Sequence, residues 1–254
     1  MESTSTVRSQ HDASPVSQPA SSGTAGAGRP SAAANRSARK ALTRLYNPVD
    51  GPLNDVEQRL SRELQSPYES LMPVLHHGTQ LGGKRLRPAM LLLAGSAVGE
   101  VTADHILLAT VIEMVHTATL IHDDVLDEAE TRRHVATINA RWNNHTSILL
   151  GDYMFSQSFR LAASLESTEA CRWIGEAARL VCEGELRQIL QRDVIDLDEA
   201  SYIAIIRGKT AELCRVSCRL GARFSGADVD TIPVGTSVED TGAGERSGPV
   251  AFVH

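Results

Sequence analysis

From Leu42 to Gly226 apolar residues recur three and four apart almost without interruption, and this helical period constrains the fold more than any other feature. "PLNDVEQRLSRELQSPYESLMPVLHHGTQL" carries it, as do "SILLGDYMFSQSFRLAAS", "EACRWIGEAARLVCEGELRQILQRD" and "DEASYIAIIRGKTAELCRVSCRLGARFSG". "RPAMLLLAGSAVG" places Pro88 in a first turn and ends near Gly99, the usual asymmetry of helix termini. "TADHILLATVIEMVHTATLIHDDVLDEA" is a long helix, apolar on most faces, that demands cover on all of them. No part of the span alternates with period two between turn signals. An all-α bundle with unusually apolar central helices follows.

The flanks differ in character. Residues 1–40 are Ser, Thr, Ala, Gly and Pro with scattered arginines, too poor in large apolar side chains to offset ordering entropy, so disorder is expected. Their Ser/Arg content resembles a transit peptide, but no amphipathic helix can form there, which disfavours organelle targeting. Residues 41–226 form the expected domain. Residues 227–254 are rich in Gly, Thr, Pro and Ser, and an irregular tail is expected.

The net charge is −6 over 254 residues, which gives no global reason for nucleic acid or an anionic surface as partner. Any anion site must be a local basic cluster. Cys171, Cys182, Cys214 and Cys218 show no CxxC spacing and are expected to be buried structural thiols in a reducing, cytoplasmic setting. No apolar run approaches the ~20 residues that span a bilayer, so a lipid product would imply peripheral membrane contact only.

Three clusters carry chemistry. In "HTATLIHDDVLDEAETRR", Asp123 and Asp127 stand one helical turn apart and repel each other. Hard oxygen ligands at that spacing suit Mg²⁺, which takes one or two carboxylates together with waters and substrate phosphates. A solvated acidic helix end would carry the same residues. His116 lies two turns earlier on the same face, and Arg132 and Arg133 follow, as forks for phosphate oxygens or as surface partners of Glu128 and Glu130. In "GGKRLRP" two glycines permit close backbone approach, Lys84 and Arg87 supply cations, and Pro88 opens a helix whose N-terminus favours a phosphate. In "IIRGKTAEL" Lys209 and Thr210 sit on a helix apolar on most faces, from which a lysine can reach inward. Acids for metal and two separate basic clusters suggest two diphosphates, one bridged by Mg²⁺ and one held by cations alone. Ionisation of an allylic diphosphate in a dry apolar cavity fits.

These blocks resemble the trans-isoprenyl diphosphate synthases, the polyprenyl synthetase family. "GGKRLRP" resembles its GGKxxRP motif, the stretch from His116 to Arg133 its first aspartate-rich region, and "GDYMFSQSF", "EGELRQ" and the segment from Tyr202 to Leu213 further blocks. The resemblance spans about residues 54–226 and implies an all-helical barrel, usually a homodimer, that extends prenyl chains head to tail. It assigns Lys84, Arg87, His116 and Arg133 to isopentenyl diphosphate. It assigns Asp123 and Asp127 to Mg²⁺, and Arg132, Lys209 and Thr210 to the allylic diphosphate. Ala118 and Thr119, five and four residues before Asp123, take the positions where bulky aromatics stop chain growth in the family. Small side chains there imply a medium or long product.

One departure stands against this. The family's second aspartate-rich motif, typically FQxxDDxxD, has no counterpart after Gly226. A truncated or frameshifted reading is expected beyond Pro233, with a natural C-terminal loop as the plainer reading; little synthase activity is expected from the chain as written. A non-catalytic partner subunit of a heteromeric synthase is the alternative. A class I terpene cyclase shares DDxxD but needs no second diphosphate site, which "GGKRLRP" supplies.

Overall fold

The computed structural model of the chain describes residues 42, 44–192 and 195–226. The expectations for residues 1–40 and 227–254 therefore lie outside the described residues. The helices run in chain order as α1 (Asp50–Glu63), α2 (Met72–Gln80), α3 (Leu86–Val98), α4 (Ala103–Leu126), α5 (Ile138–Arg141), α6 (Asn144–Ala162), α7 (Thr168–Leu190), α8 (Glu199–Ile206) and α9 (Glu212–Phe224). The all-α expectation holds. What periodicity missed is a two-stranded hairpin, β1 (Thr131–Arg132) against β2 (Val135–Ala136), with Arg132 opposite Val135. Two-residue strands are too short to show a period.

Helix α4 is the axis of the fold, and α1, α3, α6 and α9 pack against it. Leu108, Val111, Ile112, Met114 and Val115 leave the helix in different directions and are all fully buried, which is why its sequence shows no polar stripe. By length and hydropathy α4 could cross a membrane, contrary to the sequence expectation, but 72% of its most apolar window is buried by neighbouring helices. A core helix wrapped on every side passes the same compositional test as a membrane span. Its first turn is closed by a capping box between Thr102 and His105. The Thr102 N–H donates to His105 Nδ1 at 3.0 Å, which leaves the proton on Nε2 to donate to the Gly221 carbonyl of α9 at 3.0 Å.

The segment joining α4 to α6 is tied down from several directions. Thr137 Oγ1 donates to the Ala129 carbonyl at 2.7 Å, and Asn139 Nδ2 donates to the same carbonyl at 3.0 Å. His77 Nε2 donates to the Ala136 carbonyl at 2.7 Å, while Arg141 donates to His77 Nδ1 at 3.0 Å. The base of the hairpin is thereby fixed against the end of α4.

The thiols correct the sequence reading. All four cysteines are free, none is fully buried, and Cys182 is exposed on α7.

Candidate active site

The basic clusters of the sequence converge. The loop before α3 carries Lys84, the first turn of α3 carries Arg87, α4 presents His116, and the hairpin tip supplies Arg133. Arg87 Nη1 donates to His116 Nε2 at 2.9 Å. Burial first, and then the surrounding guanidinium groups of Arg87, Arg133, Arg132 and Arg85, hold the His116 imidazole down at about 3. At neutral pH it is therefore an uncharged acceptor that orients Arg87. Arg87 Nε is buried with no hydrogen-bond partner among the described residues, an arrangement that costs about 1–3 kcal/mol until an acceptor arrives.

Arg133 reaches this cluster through a strained turn. Arg133 and His134 both have positive φ, 52° and 68°, the conformation of a two-residue hairpin turn normally given to Asn-Gly. Neither is glycine, and strain of this kind gathers where geometry serves a site. The Arg133 guanidinium lies against Gly83 so closely that a Cβ there would overlap it. Neither Lys84 nor Arg133 has an ion-pair or hydrogen-bond partner among the described residues. Arg87 and Arg133 both act on the His116 ring, while the adjacent Lys84 lines a cavity with Tyr46, Asp50, Asn54 and Glu57.

Arg132 behaves differently from its neighbour. Its Nη2 meets Asp124 Oδ1 at 2.8 Å and its Nε donates to the same oxygen at 2.9 Å. Asp124 is 2% exposed and so requires a cationic partner. The middle aspartate of the acidic run is therefore the anchor of the hairpin, and Arg132 faces it rather than Glu128 or Glu130.

The acidic end of α4 forms the second pole. Asp127 caps the helix, its N–H donating to the Asp123 carbonyl at 2.8 Å, so the two carboxylates keep their one-turn relation. Burial first, and then Glu185 and Asp127, push the Asp123 carboxyl up to about 6 against the pull of Lys209 and Arg132. Glu185 of α7 was not singled out from the sequence, although it lies in the "EGELRQ" block. Nothing in its spacing shows which way α7 is turned.

Lys209, expected to reach inward from its helix, meets a carboxylate of α7. Residues Arg207–Ala211 form a π-helical turn between α8 and α9, and Lys209 donates from it to Glu185 at 2.9 Å. Such turns are frequent at functional sites. The turn is pressed onto α7: a Cβ at Gly184 would stand 2.7 Å from the Lys209 backbone nitrogen. Thr210 is exposed on the same turn. Of the two gauge positions, Ala118 is fully buried, and Thr119 is half-buried with its hydroxyl donating to the His116 carbonyl at 2.7 Å.

The acid pole fits a divalent cation. A carboxyl raised by burial and by like charges is relieved by a cation placed between them. Among the described residues no three His, Cys, Asp or Glu side chains gather into a closed cage.

The two poles lie on one helix, His116 and Asp123 about 10 Å apart along its axis at ~1.5 Å per residue. An all-helical protein with a cationic pocket and a carboxylate pole at the two ends of an apolar segment is built to hold two anionic groups. The Polyprenyl synthetase family model matches residues 68–242, and the chain belongs to that family. It is 38% identical over 191 residues to a prenyl transferase of Synechocystis, covering 74% of this chain and 59% of that protein. It is 37% identical over 187 residues to heptaprenyl diphosphate synthase component 2 of Geobacillus stearothermophilus, covering 73% and 58%. The structure of a polyprenyl synthase from Caulobacter crescentus complexed with calcium and isoprenyl diphosphate superposes with a TM-score of 0.71 at 33% identity, covering 74% of this chain and 57% of that one. The chain thus spans somewhat over half the length of these relatives.

Proposed function

We propose that the chain carries the two substrate subsites of a trans-polyprenyl diphosphate synthase, which condenses isopentenyl diphosphate head to tail with an allylic diphosphate. The observation that carries this reading is the pairing of poles on α4: Arg87 on neutral His116 at one end, and Asp123 beside Glu185 and Lys209 at the other.

Lys84, Arg87 and Arg133 hold the isopentenyl diphosphate as cations, and His116 stays uncharged so that it orients Arg87 without competing for anions. Asp123 and Asp127 would hold Mg²⁺, which when bound supplies electrostatic stabilisation to a departing diphosphate. Lys209, released from Glu185, and Thr210 would steady the allylic diphosphate at the same pole. In the reaction the allylic C1–O bond breaks and diphosphate leaves with the electron pair. The isopentenyl double bond then forms the new carbon–carbon bond at C1, and a proton leaves the adjacent carbon. The buried apolar surface of α4 keeps water from the cationic stage.

The test is calorimetric binding of isopentenyl diphosphate alone, and of geranyl or farnesyl diphosphate with magnesium, followed by a turnover assay with both. Binding of both classes, the allylic one lost on adding EDTA, is expected. Absence of binding by either diphosphate would overturn the reading. The turnover assay also decides the expectation that the chain as written elongates poorly.

The small residues Ala118 and Thr119 are read as leaving the way open to a medium or long product. Ala118→Phe should then shorten the product. Because Ala118 is fully buried, the same substitution costs about 1–3 kcal/mol if the space beside it is closed, and an unchanged product on a destabilised protein would refute the gauge.

A second reading follows from the relative named as component 2 of a heptaprenyl synthase. The chain would then act beside a second, different subunit rather than as a homodimer. Copurification of one stoichiometric partner supports the heteromer, and a homodimer that binds both diphosphates counts against it.

A further inference from the structure

Arg85 lies inside the GGKRLRP motif between two residues read as ligands of isopentenyl diphosphate, yet its guanidinium is taken up by carboxylates of the chain itself. Its backbone is left-handed, φ 50° and ψ 39°, in a residue that is not glycine. Its guanidinium is forked by two carboxylates from two helices. Nε and Nη2 donate to Glu57 of α1, the latter at 2.9 Å, and Nη1 donates to Glu113 of α4 at 2.6 Å. The Glu113 side chain is 3% exposed and the Arg85 side chain 15%. All three nitrogens of the Arg85 guanidinium are engaged by its own two carboxylate partners.

Its position explains the arrangement. Glu113 and His116 are three residues apart on α4 and point the same way, while Arg85 and Arg87 are two apart, at the N-cap and in the first turn of α3. Arg85 on Glu113 and Arg87 on His116 are thus two rungs that fix the loop to one register of α4. The two glycines of the motif divide along the same line. A Cβ at Gly82 would overlap the Arg85 guanidinium, and one at Gly83 would overlap that of Arg133. One glycine makes room for the structural arginine and the other for a ligand arginine.

We propose that Arg85, clamped between Glu57 and Glu113, is a positioning residue that sets Lys84 and Arg87 for isopentenyl diphosphate without touching it. This rests on the synthase reading of the site. Lysine cannot replace it, because a single ammonium cannot bridge two carboxylates on different helices with a fixed fork.

The experiment measures, on the full chain, calorimetric affinity for isopentenyl diphosphate and separately for geranyl diphosphate with magnesium. Arg85→Lys and Glu113→Gln are each expected to weaken isopentenyl diphosphate about tenfold or more while geranyl diphosphate changes less than about twofold. The double variant should be little worse than either single one, since both break one latch. Unchanged isopentenyl diphosphate affinity in the variants overturns the proposal. So does equal loss of both ligands, which marks a general structural role. Should both variants fail to fold, Glu57→Gln, at the more exposed carboxylate, is read by the same split. A wild-type chain that binds neither diphosphate overturns the synthase reading itself, a distinct outcome.

Discussion

At the scale of single residues, the site depends on which charges are cancelled and which are left over. Arg132 is matched to Asp124, while Lys84 and Arg133 have no acidic partner among the described residues. His116 is a group whose protonation is strongly displaced by folding. Its pKa falls from an ordinary value near 6.5 to about 3 on folding, so between those values the unfolded chain holds a proton that the folded chain does not. Stability contributed by the neutral imidazole is complete above pH 6.5 and is lost as pH falls toward 3, at about 1.4 kcal/mol per pH unit. His116→Gln should remove that slope, and urea midpoints measured from pH 7 to pH 4.5 check it: parallel wild-type and variant curves would refute it. Gly83→Ala should displace only the mobile end of Arg133, leaving stability within about 0.5 kcal/mol. It should weaken isopentenyl diphosphate roughly tenfold through the loss of one charge-assisted contact. Undiminished binding would show that Arg133 does not face this ligand. The cations proposed for the diphosphates were legible because their residue types and motifs name the chemistry. Arg85, Glu113, Asp124 and Glu185 were not, because their roles are set by contacts between helices far apart in sequence.

At the scale of elements, most of the long helices were legible because burying one apolar face imposes a period of 3.6, whereas α4, apolar all round, was legible from the length of its apolar run. The π-helical turn at Arg207–Ala211 was not, since one extra residue in a turn leaves no mark on composition. Its cause is tertiary. Gly184 of α7 and Gly208 of the turn meet back to back, with a Cβ at Gly208 standing 2.9 Å from the Leu180 carbonyl. This contact brings Glu185 and Lys209 together at 2.9 Å. Gly184→Ala forces α7 away from the turn, because the obstacle is backbone rather than a flexible side chain. It should cost about 1–3 kcal/mol. It should also weaken magnesium-dependent binding of geranyl diphosphate while sparing isopentenyl diphosphate. Denaturant unfolding and calorimetry check the two halves, and an unperturbed melting curve would mean that the glycine contact carries no strain.

At the scale of the molecule, the apolar surface is distributed unevenly. The core around α4 is closed, whereas the far end of α7 exposes Leu186, Ile189 and Leu190, the last by 80%, and α8, which packs on α7, exposes Tyr202, Ile203 and Ile206. Isolated exposed apolar side chains need no explanation, but a contiguous set on two adjacent helices does. These residues follow the helical period of their own segments, so the sequence marks them as members of a buried face. What covers them could not be read from the period alone. The exposed face should drive association of the purified chain, because each large apolar side chain withdrawn from water contributes about 1.5–3 kcal/mol. Sedimentation velocity across a hundredfold range of concentration should show a shift toward larger species. The pair of substitutions Leu190→Glu and Ile203→Lys should abolish that shift and leave the helical circular dichroism unchanged, since both positions are more than half exposed and support no core contact. A wild-type chain that stays monomeric throughout, or a double variant that associates as before, would place the driving surface elsewhere. Ile148 and Leu149 of α6 are a further exposed apolar pair, and the same two charges moved there would then be the informative variant.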